Sequence, residues 1–565
     1  MDAIYKQLSP TRVRGGIRFR YFDLHASSVN IAGEFNCWNK DSCELTKYPC
    51  GVWETVIPLT VIPLNEGVCQ YKFIVDGMWI HDPANPCMML NEYGGVNSAL
   101  EITDDGDVHL PNPSTGARGY GKLRAVSSPD WLQDAVIYEV FPRAFTDEGT
   151  LDAVRRRIPE LHDLGVTCIW LMPVHPIGVC GRKGILGSPY AISDYRSIHP
   201  DLGTLFDLKR LVRTAHGYGM KVIMDFVANH SARDCKLQQV HPQWYKRDSH
   251  GRPESPGFGW TDVLGFDYRN RDLRAYMIET MCYYIKECDI DGYRCDVAAL
   301  VPTDFWREAR CAMKQLKPDA ILLAESHEPS HNATAFDMTY EENLPQVLQK
   351  VFRGTLSARS IRHLIEEDRL TFPLGSMRLR YLENHDRPRA AEILGVRGLK
   401  VAAALLFTLD GVPLIHNGQE IAERQRLSLF DPAKIHWDNG DYIMREVYRH
   451  LSRMRRDIPA LRRGSLTFLN VVRDDSVLAY YREYEDSRIV VLLNFTCEMI
   501  RTGIGAPRDL VRNYAETGYR FTELNGQTSP VCIGGQGLLG REVALEPYGI
   551  RIFSLEAISP CRCIA

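Results

Sequence analysis

The first hundred residues alternate apolar and polar side chains in short runs. GIRFRYF (16–22), VNIAGEF (29–35), GVWETVIPL (51–59) and CQYKFIVDG (69–77) are rich in β-branched and aromatic residues and are separated by Gly, Pro and Asn. Period-two runs bounded by turn formers read as strands, and several in succession predict a β-sandwich over 1–104. From 105 to 129 the pattern gives way to Gly, Pro, Ser and Asp, which marks a linker.

After Trp131 the rhythm becomes strand, then helix, repeated. VIYEVF (136–141) and VTCIWLMP (166–173) are buried-strand runs, with a helix predicted from Leu151 to Leu164 between them. In Thr204 to Tyr218, Leu205, Leu208, Leu211, Val212 and Ala215 share one helical face; KVIMDFV (221–227) follows as a strand. Met277, Met281 and Ile285 stripe the next helix, before DGYRCDVA (291–298). A helix from Thr303 to Lys317 leads into AILLAES (320–326), and weaker strands follow near Phe336, at RLRYLENHD (378–386) and at PLIHNG (413–418). Eight strand candidates separated by helices predict a closed (β/α)₈ barrel over 130–464, with a short insertion near 231–267. From 465 to 565 strands such as VLAYYREYE (477–485) and RIVVLLNFT (488–496) alternate without helices, which predicts a C-terminal antiparallel β-domain. The fold class is therefore multidomain α/β.

Composition narrows the function. A net charge of −4 without like-charge runs argues against a nucleic-acid partner. The longest apolar stretch, Val401 to Ile415, is broken by Asp410, Gly411 and Pro413 and is too short to span a bilayer. The opening residues lack the apolar core of an export signal. The 16 cysteines are scattered without metal-finger spacing, so a cytoplasmic location with reduced thiols is expected.

Polar residues gather where the predicted barrel strands end. The third ends Asp225-Phe-Val-Ala-Asn229-His230, the fourth Arg294-Cys295-Asp296, the fifth Glu325 and the seventh Asn384-His385-Asp386. Barrel enzymes build their sites at that face. Acids delivered to one rim suit acetal cleavage, where one carboxyl protonates the leaving oxygen and a second attacks the anomeric carbon or activates water there. Adjacent strand ends place Asp296 and Glu325 at the separation of roughly 5 Å that accompanies a covalent intermediate and retention. Arg294, two residues before Asp296, is expected to hold that acid ionised. Glu325, which must donate a proton, is expected to sit further from the cations. Asp386, His230 and His385 suit sugar hydroxyls.

These blocks resemble the ordered signature regions of the α-amylase family, glycoside hydrolase family 13. DFVANH is similar to the first region, GYRCDVA to the second, LLAES to the third and YLENHD to the fourth, with LGSPYAISDY (186–195) and GVPLIHNGQE (411–420) resembling two more. The resemblance implies Asp296 as nucleophile, Glu325 as acid/base and Asp386 as transition-state stabiliser. It implies Asp225, His230, Arg294 and His385 as lining residues and Tyr190 as a platform for the sugar next to the scissile bond. The N-terminal stretches GEFNCW (33–38), YKFIVDGMW (71–79), HDPANP (81–86) and YGGVNS (93–98) resemble a family 48, glycogen-binding type of carbohydrate-binding module. There Trp38 and Trp79 would stack on sugars, and Lys72 and Asn97 would bond hydroxyls.

The likeness fails in two places. Many amylases end the second region in Lys-His, whereas Asp296 is followed by Val297-Ala-Ala-Leu300; in WTDVLGFDY (260–268) Gly265 stands where an acidic calcium ligand is usual. Asn229 is the one calcium-ligand candidate retained, far short of the six to eight oxygens the ion takes. No cofactor is expected to be required. DVAALVPTDFW (296–306) is closer to cyclomaltodextrinase and neopullulanase relatives. The expected activity is hydrolysis of α-1,4-glucosidic bonds in glycogen, starch or maltodextrins. The alternatives are a 4-α-glucanotransferase, a branching enzyme or a cyclomaltodextrinase on the same scaffold, and then a non-catalytic glucan-binding scaffold.

Overall fold

The structure is a computed structural model of the 565-residue chain. It describes residues 8–558 apart from 24–25, 50, 63–67, 86, 91–95, 103–107, 110–122, 506–517, 527–529 and 535–540. Most of the expected linker lies outside the described residues. The chain divides into two compact units.

The first unit holds residues 1–124, 346–375 and 473–478. Gly16–Phe22 pairs with Val52–Pro58 in one sheet, and Val29–Gly33, Val68–Val75 and Val96–Ile102 pair in a second. Ile17, Phe19, Tyr21, Trp53 and Ile57 of the first sheet meet Val29, Ile31, Tyr71, Phe73 and Leu100 of the second in one core. This is the sandwich that the alternating pattern predicts. Because neighbouring residues on a strand face opposite ways, Gln70, Lys72 and Ile74 lie on the outer face of the second sheet. Trp79 pairs with Ile74 and Ala32 with Lys72, so they share that face.

The second unit holds residues 125–345, 376–472 and 479–565. Its centre is a closed parallel barrel of eight strands: Ile137–Val140 (β1), Cys168–Leu171 (β2), Lys221–Phe226 (β3), Gly292–Cys295 (β4), Ile321–Ala324 (β5), Met338–Tyr340 (β6), Met377–Arg380 (β7) and Val412–His416 (β8), with β1 pairing β8. Ile137, Trp170, Ile223, Leu323, Met338, Leu379 and Leu414 are among the residues of its core. The helix expected from Leu151 to Leu164 is two, Leu151–Arg156 and Ile158–Leu164. Pro159 explains the break, because it has no N–H to continue the ladder and starts the second helix instead. Leu205–Gly217 is one helix, started by Thr204, whose hydroxyl accepts the Asp207 N–H in a capping box. After the barrel come a six-stranded antiparallel sheet that includes Val477–Tyr484, Ser487–Asn494 and Ile550–Ile558, and a smaller three-stranded sheet. Among the described residues no helix is long and apolar enough to cross a membrane.

One glycine positions the chemistry. Gly292 opens β4 with φ of 142°, and a Cβ there would fall 2.1 Å from the Ile321 carbonyl oxygen. The absent side chain lets β5 lie against β4 in parallel register, with Cys295 opposite Ala324. Asp296 and Glu325 follow those two residues and emerge as neighbours.

Candidate active site

β3, β4 and β5 deliver their last polar residues around one guanidinium. Arg294 is fully buried. Its Nη1 donates to Asp225 Oδ1 at 2.9 Å and to Asp296 Oδ1 at 2.9 Å. Its Nη2 lies 2.6 Å from Glu325 Oε1 in an ion-pair contact. Glu325 Oε2 accepts the Val297 N–H at 2.7 Å. That N–H is aimed by an unusual backbone: Val297 takes φ of 37°, a region that a β-branched residue enters only under strain.

Two expectations are corrected here. Glu325 does not stand apart from the cations; it shares Arg294 with Asp225 and Asp296. Nor does Arg294 hold Asp296 at a low pKa. Burial raises the Asp296 carboxyl well above the ordinary carboxylate range, and Glu325 and Asp225 add to this against the pull of Arg294. Asp225 is likewise raised, to about 6, by burial first, with Arg294 opposing. Burial comes first, and one guanidinium then faces three acids. The cluster therefore retains a proton to higher pH than a free carboxyl would.

The other wall is built from residues that follow β3 and β7 and from the 186–195 loop. Tyr190 stacks on His385 with ring centroids 5.3 Å apart and 22° between planes. The Tyr190 hydroxyl donates to Asp225 Oδ2 at 3.1 Å and lies 2.8 Å from His385 Nε2. Trp170 Nε1 also donates to Asp225 Oδ2, at 3.3 Å. Asp386 carries a half-exposed carboxylate 3.2 Å from His385 Nε2. Burial alone would raise the Asp386 pKa, but His385 carries it below the usual carboxylate range. His230 is buried and held neutral, its pKa lowered to about 4 by burial, with its ring 5.4 Å from that of Trp260. The cavity between these walls measures about 180 Å³ and is lined by Tyr190, His230, Asp296, Glu325, His385 and Asp386 among others. A larger cavity of about 570 Å³, lined by Arg143, His175, Arg182 and Lys434, contains none of these acids, so chemistry and not volume marks the site.

The family profile described as the α-amylase catalytic domain matches residues 127–252 and 261–458. The chain belongs to the α-amylase family. It is an α-amylase-family glycoside hydrolase with an N-terminal module, residues 17–109, that matches the glycogen recognition site of AMP-activated protein kinase. Among relatives, the α-amylase MalA of Haloarcula japonica is 33% identical over 433 residues, 73% of this chain and 63% of that protein. A cyclomaltodextrinase of Geobacillus thermopakistaniensis is 26% identical over 489 residues, 76% of this chain and 78% of that one. The crystal structure of a noncanonic maltogenic α-amylase, AmyB of Thermotoga neapolitana, superposes with a TM-score of 0.69 at 33% identity, covering 75% of this chain and 99% of that one.

All eight barrel residues singled out from the sequence meet at this one cavity or at the Arg294 cluster beneath it. Glu139, His416 and Trp170 were missed. Glu139 is buried in β1, with Oε1 2.6 Å from His385 Nδ1 and Oε2 3.1 Å from His416 Nδ1. The signal was available: one acid inside VIYEVF has no place in an apolar strand unless something pairs with it. The module residues fall into two pairs. Trp38 and Trp79 are half-buried, with ring centroids 6.1 Å apart. Lys72 and Asn97 are buried. Lys72 Nζ is 2.8 Å from Glu367 on the helix Arg359–Thr371, in the same unit, and Asn97 donates to Gln70 at 3.0 Å.

Proposed function

We propose that this chain is a retaining hydrolase of α-1,4-glucosidic bonds in glycogen, starch or maltodextrins, with Asp296 as nucleophile and Glu325 as general acid/base. The observation that carries the reading is the single Arg294 guanidinium in contact with both carboxyls at neighbouring strand ends. In the first step a proton passes from Glu325 to the glycosidic oxygen as its bond to C1 breaks. An Asp296 oxygen forms the new bond to C1. Water then attacks C1, gives its proton to Glu325 and releases Asp296. Asp386 would bind sugar hydroxyls in the distorted ring, with Tyr190 and His385 as the platform beneath it.

The enzyme needs no calcium at the family's usual position on this reading. Gly265 and Leu300 bring no side-chain oxygen there. The nearby acids are already paired, Asp262 with Lys183 at 3.1 Å and Asp267 with Arg269 at 2.6 Å. The donor set does not fit a hard cation with many oxygen ligands. A cytoplasmic location fits the buried free thiols of Cys69, Cys168, Cys235, Cys288 and Cys295.

The test is a glucosyl fluoride whose intermediate is slow to hydrolyse. Mass spectrometry should find one glucosyl unit on the peptide containing Asp296, and wild-type enzyme should release α-anomeric products from maltoheptaose. Release of β-anomers would replace retention with inversion. Ring opening of β-cyclodextrin in preference to starch would select the cyclomaltodextrinase alternative, and products longer than the substrate the transferase.

A further inference from the structure

The interior of the barrel carries a charge that the bond-breaking steps do not use. Glu139 lies in β1 beside Trp170 of β2 and His416 of β8, its direct strand partners, and is fully buried. An ionised acid in such a place is costly unless it is paired and hydrogen-bonded. It is paired twice, with His385 at 2.6 Å and His416 at 3.1 Å.

The geometry at His385 decides what that pairing does. Nδ1 faces the Glu139 carboxylate at 2.6 Å and Nε2 faces the Asp386 carboxylate at 3.2 Å. A carboxylate accepts only, so each ring nitrogen must bear a hydrogen. A neutral imidazole has one N–H and would turn a lone pair towards one of the two acids. His385 is therefore an imidazolium between two carboxylates. The other groups facing it agree. With its own hydrogen given to Asp225 Oδ2 at 3.1 Å, the Tyr190 hydroxyl, 2.8 Å from Nε2, is left to accept from it, and Trp170 stands edge-on at 5.9 Å. His416 stays neutral, its pKa lowered by burial, and donates one N–H to the far oxygen of Glu139.

We propose that Glu139, backed by His416, is a positioning residue: it keeps His385 as an imidazolium, and His385 in turn fixes Asp386 and Tyr190 against the sugar ring. The charge, and not only the shape, of Glu139 is what this requires. A glutamine of the same size fills the same space and still offers an oxygen to Nδ1, but it does not hold the second proton on the ring. Burial pulls the His385 pKa down while Asp386 and Glu139 raise it well above the ordinary histidine value. Removing one of the two acids therefore lets the ring lose its proton at a lower pH. The role in turnover rests on the glycosidase reading; the protonation state of His385 does not.

The experiment is histidine ¹³C NMR on the full-length wild type, Glu139→Gln and Glu139→Asp, with His385 assigned from a His385→Gln spectrum. In wild type His385 should stay charged well above the pH at which an ordinary histidine loses its proton, while in Glu139→Gln its titration should fall by about one pH unit or more, the scale of losing an adjacent opposite charge. Glu139→Asp, which keeps the charge, should restore most of the shift. With maltoheptaose, Glu139→Gln should lower kcat roughly tenfold or more with a smaller change in KM, the scale of removing the acid behind a working histidine. A wild-type His385 that titrates like a free imidazole overturns the proposal, whether or not the variants fold. So do variants that titrate alike. A normal NMR result in a protein that cleaves no glucan would instead sink the reading of the function and leave the imidazolium standing.

Discussion

The barrel rim and the outer face of the N-terminal sheet both present polar residues suited to a sugar, yet the chain treats them in opposite ways. At the rim, Asp225, Asp296 and Glu325 crowd one Arg294, and the cluster is left short of positive charge beside an open cavity. On the sheet, Lys72 is neutralised by Glu367 and Asn97 is bonded to Gln70, both nearly out of solvent. Groups without enough partners inside the molecule are the ones poised to work on something outside it. Groups already matched by the chain mainly hold it together. A signature residue thus tells less about function than the balance of its partners does.

The largest test of this contrast is at the rim. Asp296→Asn should lower glucan cleavage on the order of 10⁴-fold or more, the scale of removing a nucleophile, with the fold intact. Near-native turnover, measured in a preparation free of wild-type enzyme, would place the chemistry elsewhere.

The shortage of positive charge should also be visible in the pH profile. The proton held by the cluster serves as the acid, so activity falls as pH rises and that proton is lost. Asp225→Asn removes one of the three acids that share Arg294, and the remaining pair then holds the proton less tightly. Its basic limb in kcat/KM should move to lower pH by about one unit, on top of a general loss of activity. An unmoved or upward-moved limb would show that Asp225 is not part of the shared charge.

Much of this was legible in the sequence, and what was not has a physical cause. The eight strands were found because apolar runs of strand length recur between helices, and the rim acids because they follow those runs. The sixth strand starts at Met338, just past the expected Phe336, where the apolar run is shortest. The helix break before Pro159 could have been read from proline alone. Glu139 was passed over because its meaning depends on His385 and His416, which lie hundreds of positions away in the chain. The same holds for Glu325: sequence shows that an acid is needed but not that Arg294 reaches across β4 to β5. The Lys72–Glu367 pair was hidden for the same reason, since nothing local announces a partner on a helix 295 positions later.

That pair gives a smaller and sharper prediction. If the sheet face is closed by the chain's own groups, Trp79→Ala should change glycogen retention by no more than about twofold, equivalent to a few tenths of a kcal/mol. Glu367→Gln, which leaves a buried Lys72 unmatched, should lower unfolding stability by about 1–3 kcal/mol. A face that opens to glucan would behave otherwise. Trp79→Ala would then weaken retention strongly, and Glu367→Gln would strengthen it by freeing Lys72.

The smallest expected effect extends the same logic to metal binding. Asp262 and Asp267 flank the place where a calcium ligand is usual in the family, and each has its own cation, Lys183 and Arg269. Asn229 has its carbonyl bonded to the Phe266 N–H and its side-chain amide 3.3 Å from His230 Nδ1. A cation bound by Asp262 or Asp267 would compete with Lys183 or Arg269, and Gly265 and Leu300 bring no side-chain oxygen. A metal that binds only the native state raises stability in step with its concentration, so removing it lowers the melting temperature. Dialysis against EDTA should leave the melting temperature and the activity on maltoheptaose unchanged, and added calcium should not raise either. A fall in melting temperature with EDTA, reversed by calcium but not by magnesium, would show that these acids exchange their cations for the metal. Repeating the titration with Lys183→Met then separates the two views. Loss of the competing ammonium would tighten a real calcium site and would have no calcium-dependent effect where none exists.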